Sequence, residues 1–271
     1  MTQPRRVGLV LARASRVLGE EPYYHEFIEG LERVLTPAGV SVLIKVVTDR
    51  AAESATYEQW AARQRVDGVI LVDLVPGDDR VDLVGRLALP AVVIGDPSTA
   101  PDLSTVWTDD AGFAHEVVGF LAGLGHRVIG HVNGPPTLAH TQLRRAGFDA
   151  AAEGLTVLRA DGDYSHEAGY AATEHLLAGR PTAIVYDNDV MAIAGLVALR
   201  DRGLRVPGDV AVVAWDDSAQ CQLAVPALSA MSHDVGRIGE LAAGAILGAM
   251  AGAPVTVYEA PHAHIVARES T

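Results

Sequence analysis

The stretch AIVYDNDVMAIAG, residues 183–195, changes character in its middle. A short apolar run leads into three polar residues, Asp187, Asn188 and Asp189, after which apolar residues recur with a helical period. This pattern predicts a buried strand, a polar strand end and the start of a helix. Asp187 or Asn188 suits the capping position of that helix. Capping needs only one side chain, so the others must pair with the protein itself or with a ligand.

The same alternation of short apolar runs and longer helical patterns continues along the chain. The strand candidates are rich in Val, Ile and Leu, which is typical of strands buried on both faces, and they span residues 7–12, 40–47, 69–74, 91–94, 128–132, 183–186 and 210–215. Helix candidates lie between them, at residues 23–36, 52–64, 80–87, 111–122, 141–153, 166–178, 190–202 and 235–250. Asp110 suits a helix cap, and Gly125 and Gly203 suit helix ends. This spacing predicts βαβ units and parallel sheets, and therefore an α/β fold.

Composition and charge exclude several classes of protein. The 271 residues, 49% of them hydrophobic, are enough for one large domain or two lobes with a sizeable core. A formal charge of −13 repels phosphate backbones, so we expect that this chain does not hold DNA by itself. Cys221 is the only cysteine, which excludes an intramolecular disulfide. No signal-peptide core and no apolar run of membrane-spanning length is present, so we expect a cytoplasmic protein that does not enter the membrane.

A second acidic pair follows another predicted strand. Asp216 and Asp217 come directly after the run at residues 210–215. Ligands of open parallel sheets bind beyond the carboxyl ends of the strands, so this pair and the polar residues at 187–189 can face one crevice. Carboxylates there accept hydrogen bonds from ligand hydroxyls, and an aromatic ring nearby covers an apolar sugar face. Asp216 is the first candidate for a ligand contact and Asn188 the second, with helix capping as the alternative role of each group.

The remaining candidates are an arginine and two histidines. Arg144, in HTQLRRAGF, can donate a fork of hydrogen bonds to ligand oxygens, but spacing does not tell whether it or Arg145 points inward. His262 and His264 share one side of a strand without an evident third ligand, so we predict no metal site. The motifs GxSxG, HExxH, GxxxxGK[ST] and GxGxxG are absent, and Cys221 has no evident partner for nucleophilic chemistry. We therefore expect no enzymatic activity and no cofactor.

Five segments occur in an order and spacing that resemble a known family. They are VDGVILVDL, LGHRVIGHVNGPP, RRAGFDAA, PTAIVYDNDVMAIAGLVALRDRGLRVPGDVAVVAWDDS and VPALSAM. Over residues 7–270 the chain resembles the effector-binding region of the lactose/galactose repressor (LacI/GalR) family of bacterial transcription regulators. The resemblance implies an α/β fold of the periplasmic-binding-protein-like type I, with two Rossmann-like lobes, parallel sheets and three interlobe crossovers. The expected lobes are residues 7–123 plus 235–252 and residues 127–230 plus 255–271.

The resemblance also implies a set of effector contacts in a cleft between the lobes. Its members are Asn188, Asp216, Arg144, Tyr164, His140, Trp215 and the crossover residue His233. Trp215 replaces the Tyr or Phe that the family usually has, and Asp110 stands where Asn is common. The first loop, ARASRVLGEEPYY, is longer than is usual in the family. Because this loop helps to wall the cleft, the resemblance implies an effector that differs from those of well-known members.

The implied function is that of a ligand sensor acting in a homodimer. In the family, a helix-turn-helix domain contacts operator DNA. No such segment is found in this chain, and we expect a truncated sensor domain, with a natural relative that lacks DNA binding as the alternative. The acidic residues favour a neutral sugar or polyol over a phosphorylated ligand, with a nucleoside as the second choice. Two other hypotheses are an extracytoplasmic sugar-binding protein of a transporter, which needs an export signal, and a sugar-processing enzyme, which no motif supports.

Overall fold

The computed structural model describes residues 5–13 and 21–271. The chain forms two compact units. Unit 1 comprises Met1–Thr108 and Asp234–Pro261, and unit 2 comprises Asp109–His233 and His262–Thr271. The chain therefore passes between the units three times.

Helices and strands alternate in both units. The strands are β1 (Arg5–Ala12), β2 (Val40–Val47), β3 (Gly68–Leu71), β4 (Ala91–Ile94), β5 (Ser104–Trp107), β6 (Val128–Asn133), β7 (Thr156–Asp161), β8 (Ala183–Tyr186), β9 (Ala211–Ala214), β10 (Ser229–Ser232), β11 (Val257–Glu259) and β12 (His264–Val266). The helices are α1 (Tyr23–Leu35), α2 (Arg50–Ala62), α3 (Asp79–Arg86), α4 (Asp110–Gly123), α5 (Ala139–Ala151), α6 (His166–Leu177), α7 (Asp189–Asp201), α8 (Ala219–Leu223) and α9 (Val235–Met250), with a 3-10 turn at Pro97–Thr99. Within residues 5–13 and 21–271, none of these helices has the length and apolar character needed to cross a membrane.

Unit 1 is built on a parallel sheet with the strand order β11-β5-β4-β3-β1-β2. Leu9 of the inner strand β1 lies opposite Ile44 of β2 and Ile70 of β3. One face of the sheet packs against α1 and α9, and the other packs against α2 and α3. Because helices cover both faces, β1, β3 and β4 are apolar almost throughout.

A buried group of charges joins α2 to α3. Arg80 donates hydrogen bonds to Glu53 and to both carboxylate oxygens of Asp78, at 2.9 and 2.7 Å, and all three side chains are buried. Burial raises the pKa of Asp78, but hydrogen bonds from Arg80 and Arg50 outweigh it and hold that pKa far below its usual value. Each buried charge therefore has an opposite partner, which is the condition for tolerating it in a core.

Unit 2 is built on a sheet with the strand order β12-β10-β9-β8-β6-β7, parallel except for the antiparallel pair of β10 and β12. Phe113 of α4 and Phe148 of α5 pack against one face of this sheet. The two helices approach closely, because a Cβ added at Gly147 would lie 2.1 Å from the carbonyl oxygen of Ala111. The carboxyl ends of β6, β8 and β9 lie at one edge of the sheet, where the polar strand ends of the sequence are found.

The α/β fold with parallel sheets is confirmed, and the predicted strands and helices are found within a few residues of their expected bounds. The strands β5, β7, β10, β11 and β12 were not predicted, because they are short or carry polar residues. Asp110 is not a cap: the preceding Asp109 accepts the hydrogen bond from the Gly112 amide, at 2.9 Å. Gly125 and Gly203 follow helix ends with positive φ, as predicted.

The two units differ from the predicted lobes at their boundaries. The helix α4 belongs to unit 2 rather than to the N-terminal lobe, since its apolar face packs into the core that contains Phe148 and the unit 2 strands. Similarly, β11 belongs to unit 1, because it pairs with β5. The crossings at 108–109 and 261–262 therefore lie away from the predicted lobe boundaries at 123–127 and 252–255, while the crossing at 233–234 lies within the predicted boundary at 230–235.

Candidate functional site

All the residues predicted to contact an effector lie in unit 2. Asn188 follows β8 and is the cap of α7: its Oδ1 accepts a hydrogen bond from the Met191 amide at 2.9 Å. Its Nδ2 donates to the carbonyl oxygen of Tyr164 at 3.1 Å. The Asn188 side chain thus forms two hydrogen bonds within the protein, and one hydrogen of its Nδ2 group has no acceptor among the described residues. Asn188 is therefore part of the frame of the site in addition to being a candidate ligand contact.

Asp187 is tied into the interior of the unit. Its carboxylate is buried and accepts hydrogen bonds from His131 Nε2 at 2.7 Å and from the Gly134 amide at 2.9 Å. The His131 ring stacks on Phe148 at a centroid distance of 3.8 Å. Burial raises the pKa of Asp187, but the proximity of His131 and Arg144 outweighs it and lowers that pKa overall. His131 was not among the predicted site residues, although a histidine inside the apolar run VIGHV indicates a buried partner.

Arg144, on α5, is the arginine that points inward. Its Nε donates to Asp110 Oδ1 at 2.8 Å, and its Nη1 donates to the backbone carbonyl oxygen of Asp187 at 3.1 Å. The guanidinium carbon lies 4.1 Å from the centre of the Trp215 ring, which is the geometry of a cation–π contact. The side chain is 12% exposed. Burial lowers the pKa of Arg144, but Asp110 and Asp187 outweigh it and hold the pKa above its usual value, so the group stays charged.

The Nη2 group of Arg144 is the part of the guanidinium that forms no hydrogen bond to the described residues. It has no acceptor among residues 5–13 and 21–271, whereas Nε and Nη1 are bound as described. A guanidinium fixed on two sides and stacked on a ring presents its remaining donors in one orientation. Arg145, by contrast, makes no hydrogen bond or ion pair to the described part of the chain.

Trp215 and His233 lie on the other side of Arg144. Trp215 is only 2% exposed, and one face of its ring is covered by the arginine; its contact with a sugar stays a prediction. The His233 ring lies 5.8 Å from the Trp215 ring and 5.6 Å from Phe113. Burial and the nearby charge of Arg144 lower the pKa of His233 to about 4, so the ring is neutral at pH 7. Its Nε2 is buried and has no partner among the described residues.

Tyr164 and His140 form a second polar pair. His140 Nε2 and the Tyr164 hydroxyl are 2.7 Å apart. Tyr164 is buried, and its φ of +69° lies in the left-handed region that only a well-fixed non-glycine residue adopts. A Cβ at Gly134 would lie 2.2 Å from the Tyr164 hydroxyl oxygen. The glycine of the NGPP segment is therefore needed for Tyr164 to sit there.

The four carboxylates of the predicted crevice have different roles. Asp217 pairs with Arg268 at 2.7 Å, and Asp187 is bound as described above. Asp189 is buried, accepts a hydrogen bond from the Val190 amide, and has its pKa raised by burial. Asp216 is half-buried, and its backbone carbonyl accepts a hydrogen bond from the Cys221 thiol at 3.3 Å. Asp216 and Asp217 are therefore half-buried, whereas Asp187 and Asp189 are buried.

The two histidines near the C-terminus are not assembled into a metal site. His262 Nε2 lies 3.0 Å from Glu116 Oε1, and its ring contacts Phe113. Across the part of the chain that the structure describes, no three His, Cys, Asp or Glu side chains are grouped to hold a metal ion.

Comparison with known proteins gives consistent matches. Residues 118–271 match the family of periplasmic binding protein-like domains. The HTH-type transcriptional regulator CelR of Thermobifida fusca is 30% identical over 243 residues, which cover 86% of this chain and 71% of that protein. The HTH-type transcriptional repressor PurR of Erwinia tasmaniensis is 29% identical over 232 residues, covering 82% and 68%.

Solved structures agree with the sequence matches. A LacI family transcriptional regulator from Bifidobacterium animalis subsp. lactis has a TM-score of 0.90 and 34% identity, covering 100% of this chain and 98% of that one. The complex of the transcriptional regulator CelR with cellobiose has a TM-score of 0.90 and 28% identity, covering 99% and 86%.

Proposed function

The chain belongs to the LacI family of transcriptional regulators, through its periplasmic binding protein-like domain, and from this membership we propose that its unit 2 binds a small neutral sugar at Arg144. Proteins of this family are regulators and not enzymes, so the hypothesis of a sugar-processing enzyme is set aside. The binding of the sugar is the signal, and the ligand leaves unchanged.

The observation that carries this proposal is the guanidinium of Arg144, which is held in place by some of its hydrogen-bond donors and keeps another for a ligand. Its Nε and Nη1 are held by Asp110 and by the Asp187 backbone, which leaves Nη2 as a donor to a ligand oxygen. Half-buried Asp216 supplies an acceptor for ligand hydroxyls. His233 adds a neutral, buried ring nitrogen without a partner among the described residues. This combination of donors and acceptors suits a ligand rich in hydroxyl groups, because a hydroxyl group both donates and accepts hydrogen bonds.

The charges favour an uncharged ligand. Arg144 lies against the carboxylates of Asp110 and Asp187, and Asp110 already forms an ion pair with it at 2.8 Å. An anionic ligand would add a further negative charge to a partly buried acidic group. The cellobiose bound to the related CelR supports a sugar. A nucleoside remains the second candidate for the effector.

We further propose that the sensor works as a homodimer and that it controls DNA binding. The relatives are named HTH-type regulators, and we assign operator contact to a segment of that kind, because a chain of charge −13 repels DNA.

A groove of about 450 Å³ on unit 2, between α7 and residues 220–226, suits a second copy of the chain. Leu223 and Val225 at its rim are 80% and 93% exposed. Leu223→Glu should therefore yield monomers in sedimentation experiments, and an unchanged dimer would contradict this surface.

The test of the ligand proposal is the thermal unfolding midpoint against cellobiose, other neutral sugars, polyols, nucleosides and sugar phosphates. A ligand that binds only the folded state stabilises it by about 2.7 kcal/mol at a hundred times its Kd. We expect a rise with a neutral sugar, and a rise only with phosphorylated compounds would overturn the proposal.

A matched pair of variants tests the role of Arg144. Arg144→Lys keeps the charge but loses the fork that binds Asp110 and the Asp187 backbone, so it should weaken sugar binding by tenfold or more, as a lost charge-assisted hydrogen bond of roughly 1.5–3 kcal/mol implies. Arg145→Lys is the control, because Arg145 has no bond to the described chain, and its affinity should equal that of the unmodified protein. Equal affinity in both variants would exclude Arg144 from the site.

A further inference from the structure

We propose that Asp110 determines the charge selectivity of the Arg144 site: its carboxylate is the group that keeps acidic sugars out. This inference rests on the proposed function, since it concerns the ligand class that Arg144 accepts. Asp110 was expected from the sequence to be a helix cap, and the structure instead places it against the arginine.

The geometry makes Asp110 the direct counter-ion. Its Oδ1 accepts from Arg144 Nε at 2.8 Å, and it is buried. The other nearby carboxylate, Asp187, is 3.9 Å from Nη1 and is already bound by His131 and by the Gly134 amide. The charge of Arg144 is therefore compensated mainly through Asp110, while its Nη2 remains available.

A guanidinium with a free edge is by itself a receptor for carboxylates and phosphates, which it binds through charge-assisted hydrogen bonds. The ion pair with Asp110 removes the net charge but leaves the donor, so the same arginine serves a hydroxyl oxygen. Asp110 lies at the first turn of α4. Asp110→Asn keeps an oxygen acceptor for Nε and removes only the charge.

The neighbouring residue supplies a matched control. Asp109 caps the same helix through the Gly112 amide and makes no bond to Arg144. Asp109→Asn changes the net charge by the same amount and retains the cap, because Asn is as good a cap as Asp. Asp110→Glu keeps the charge and serves as the conservative replacement.

The experiment compares the affinities of these three variants and the unmodified protein for glucose, glucuronate, cellobiose, its uronic acid and inorganic phosphate, by calorimetry and thermal shift. Removing a unit charge about 6 Å from a ligand, at an effective dielectric constant of about 20, changes affinity on the order of a hundredfold, and partial exposure reduces this to about tenfold. We expect Asp110→Asn to gain at least about tenfold for the acidic probes relative to the neutral ones, while Asp109→Asn and Asp110→Glu keep the original preference.

Two results would overturn the proposal. One is no gain for acidic probes in Asp110→Asn, and the other is an equal gain in Asp109→Asn, which would indicate a general charge effect. A general effect also disappears in 0.5 M salt, whose Debye length is only about 4 Å, whereas the effect of a buried pair persists. If the unmodified protein binds no neutral sugar, the proposed function fails, but the acidic probes still decide the role of Asp110.

Discussion

Replacing Asp187 with Ala should destabilise unit 2 strongly. The carboxylate is buried and accepts two hydrogen bonds, from His131 Nε2 at 2.7 Å and from the Gly134 amide at 2.9 Å. A hydrogen bond to a charged group contributes roughly 1.5–3 kcal/mol, and a buried partner that is left unpaired adds its desolvation cost. His131 would remain against Phe148 without its acceptor. We expect the free energy of unfolding to fall by about 3–5 kcal/mol, as it does when a buried ion pair loses one member.

The measurement is urea and thermal unfolding of Asp187→Ala beside a matched surface variant. For a protein of this size each kcal/mol lowers Tm by roughly 2–4 °C, so the expected decrease is on the order of 10 °C. Asp149→Ala is the control, since that carboxylate is 65% exposed in its pair with Arg159, and a surface pair contributes at most about 1 kcal/mol. The double variant with His131→Leu should show a coupling of about 1–3 kcal/mol.

The pH dependence has a definite sign. The pKa of Asp187 is lowered in the folded protein, so its contribution to stability is complete above the unfolded value of about 3.9 and is lost as pH falls through the folded value. Asp187→Ala should therefore lose less stability than the unmodified protein on acidification. A cost below about 1 kcal/mol, or additive effects of the two substitutions, would refute the stabilising pair.

Three further predictions concern buried groups. Arg80→Met leaves Glu53 without a cation and Asp78 with Arg50 alone, and it should lower the free energy of unfolding by about 3–5 kcal/mol in urea titration; a loss under 1 kcal/mol would contradict this. Burial, with the nearby Asp carboxylates, raises the pKa of Cys221 to about 12, so a thiol reagent at pH 8 should react only after unfolding, and fast labelling of the native protein would disagree. His233, with a pKa of about 4, stays neutral when folded but takes up a proton near pH 6.5 when unfolded. Stability should therefore fall from pH 6.5 to pH 4, and His233→Gln should reduce that slope.

The sequence predicted the fold well where burial is two-sided. The runs that became β1, β3, β8 and β9 are apolar on both faces, so periodicity and composition agreed. The strand β7, TVLRAD, is a half-exposed edge strand with mixed polarity, and nothing in its pattern separates it from a loop. The strand β11 forms only by pairing with β5, far away in the sequence, which local pattern does not reveal.

The sequence indicated where the candidate side chains lie in the fold, but it did not indicate the hydrogen bonds and ion pairs that they form. Strand ends with polar residues pointed to one edge of the unit 2 sheet, and the structure places Arg144 against Asp187 at that edge. The sequence did not reveal that Asp110 pairs with Arg144, because the two residues lie on different helices, α4 and α5. The sequence also did not reveal whether Asp109 or Asp110 is the N-cap of α4, since an aspartate suits that position in either case. Such choices depend on tertiary contacts that override local propensity.

The contacts of Arg144 also suggest how a ligand there acts on the rest of the chain. Its partner Asp110 lies immediately after the first crossing between the units, and His233, beside Trp215, lies immediately before the second. Under the proposed function, a ligand held by Arg144 lies against groups that are directly linked to two of the three crossing segments. Because a ligand shifts an equilibrium only by its difference in affinity between two states, the substitutions at Asp110 and His233 should change the response to a bound sugar even where they leave its affinity unaltered.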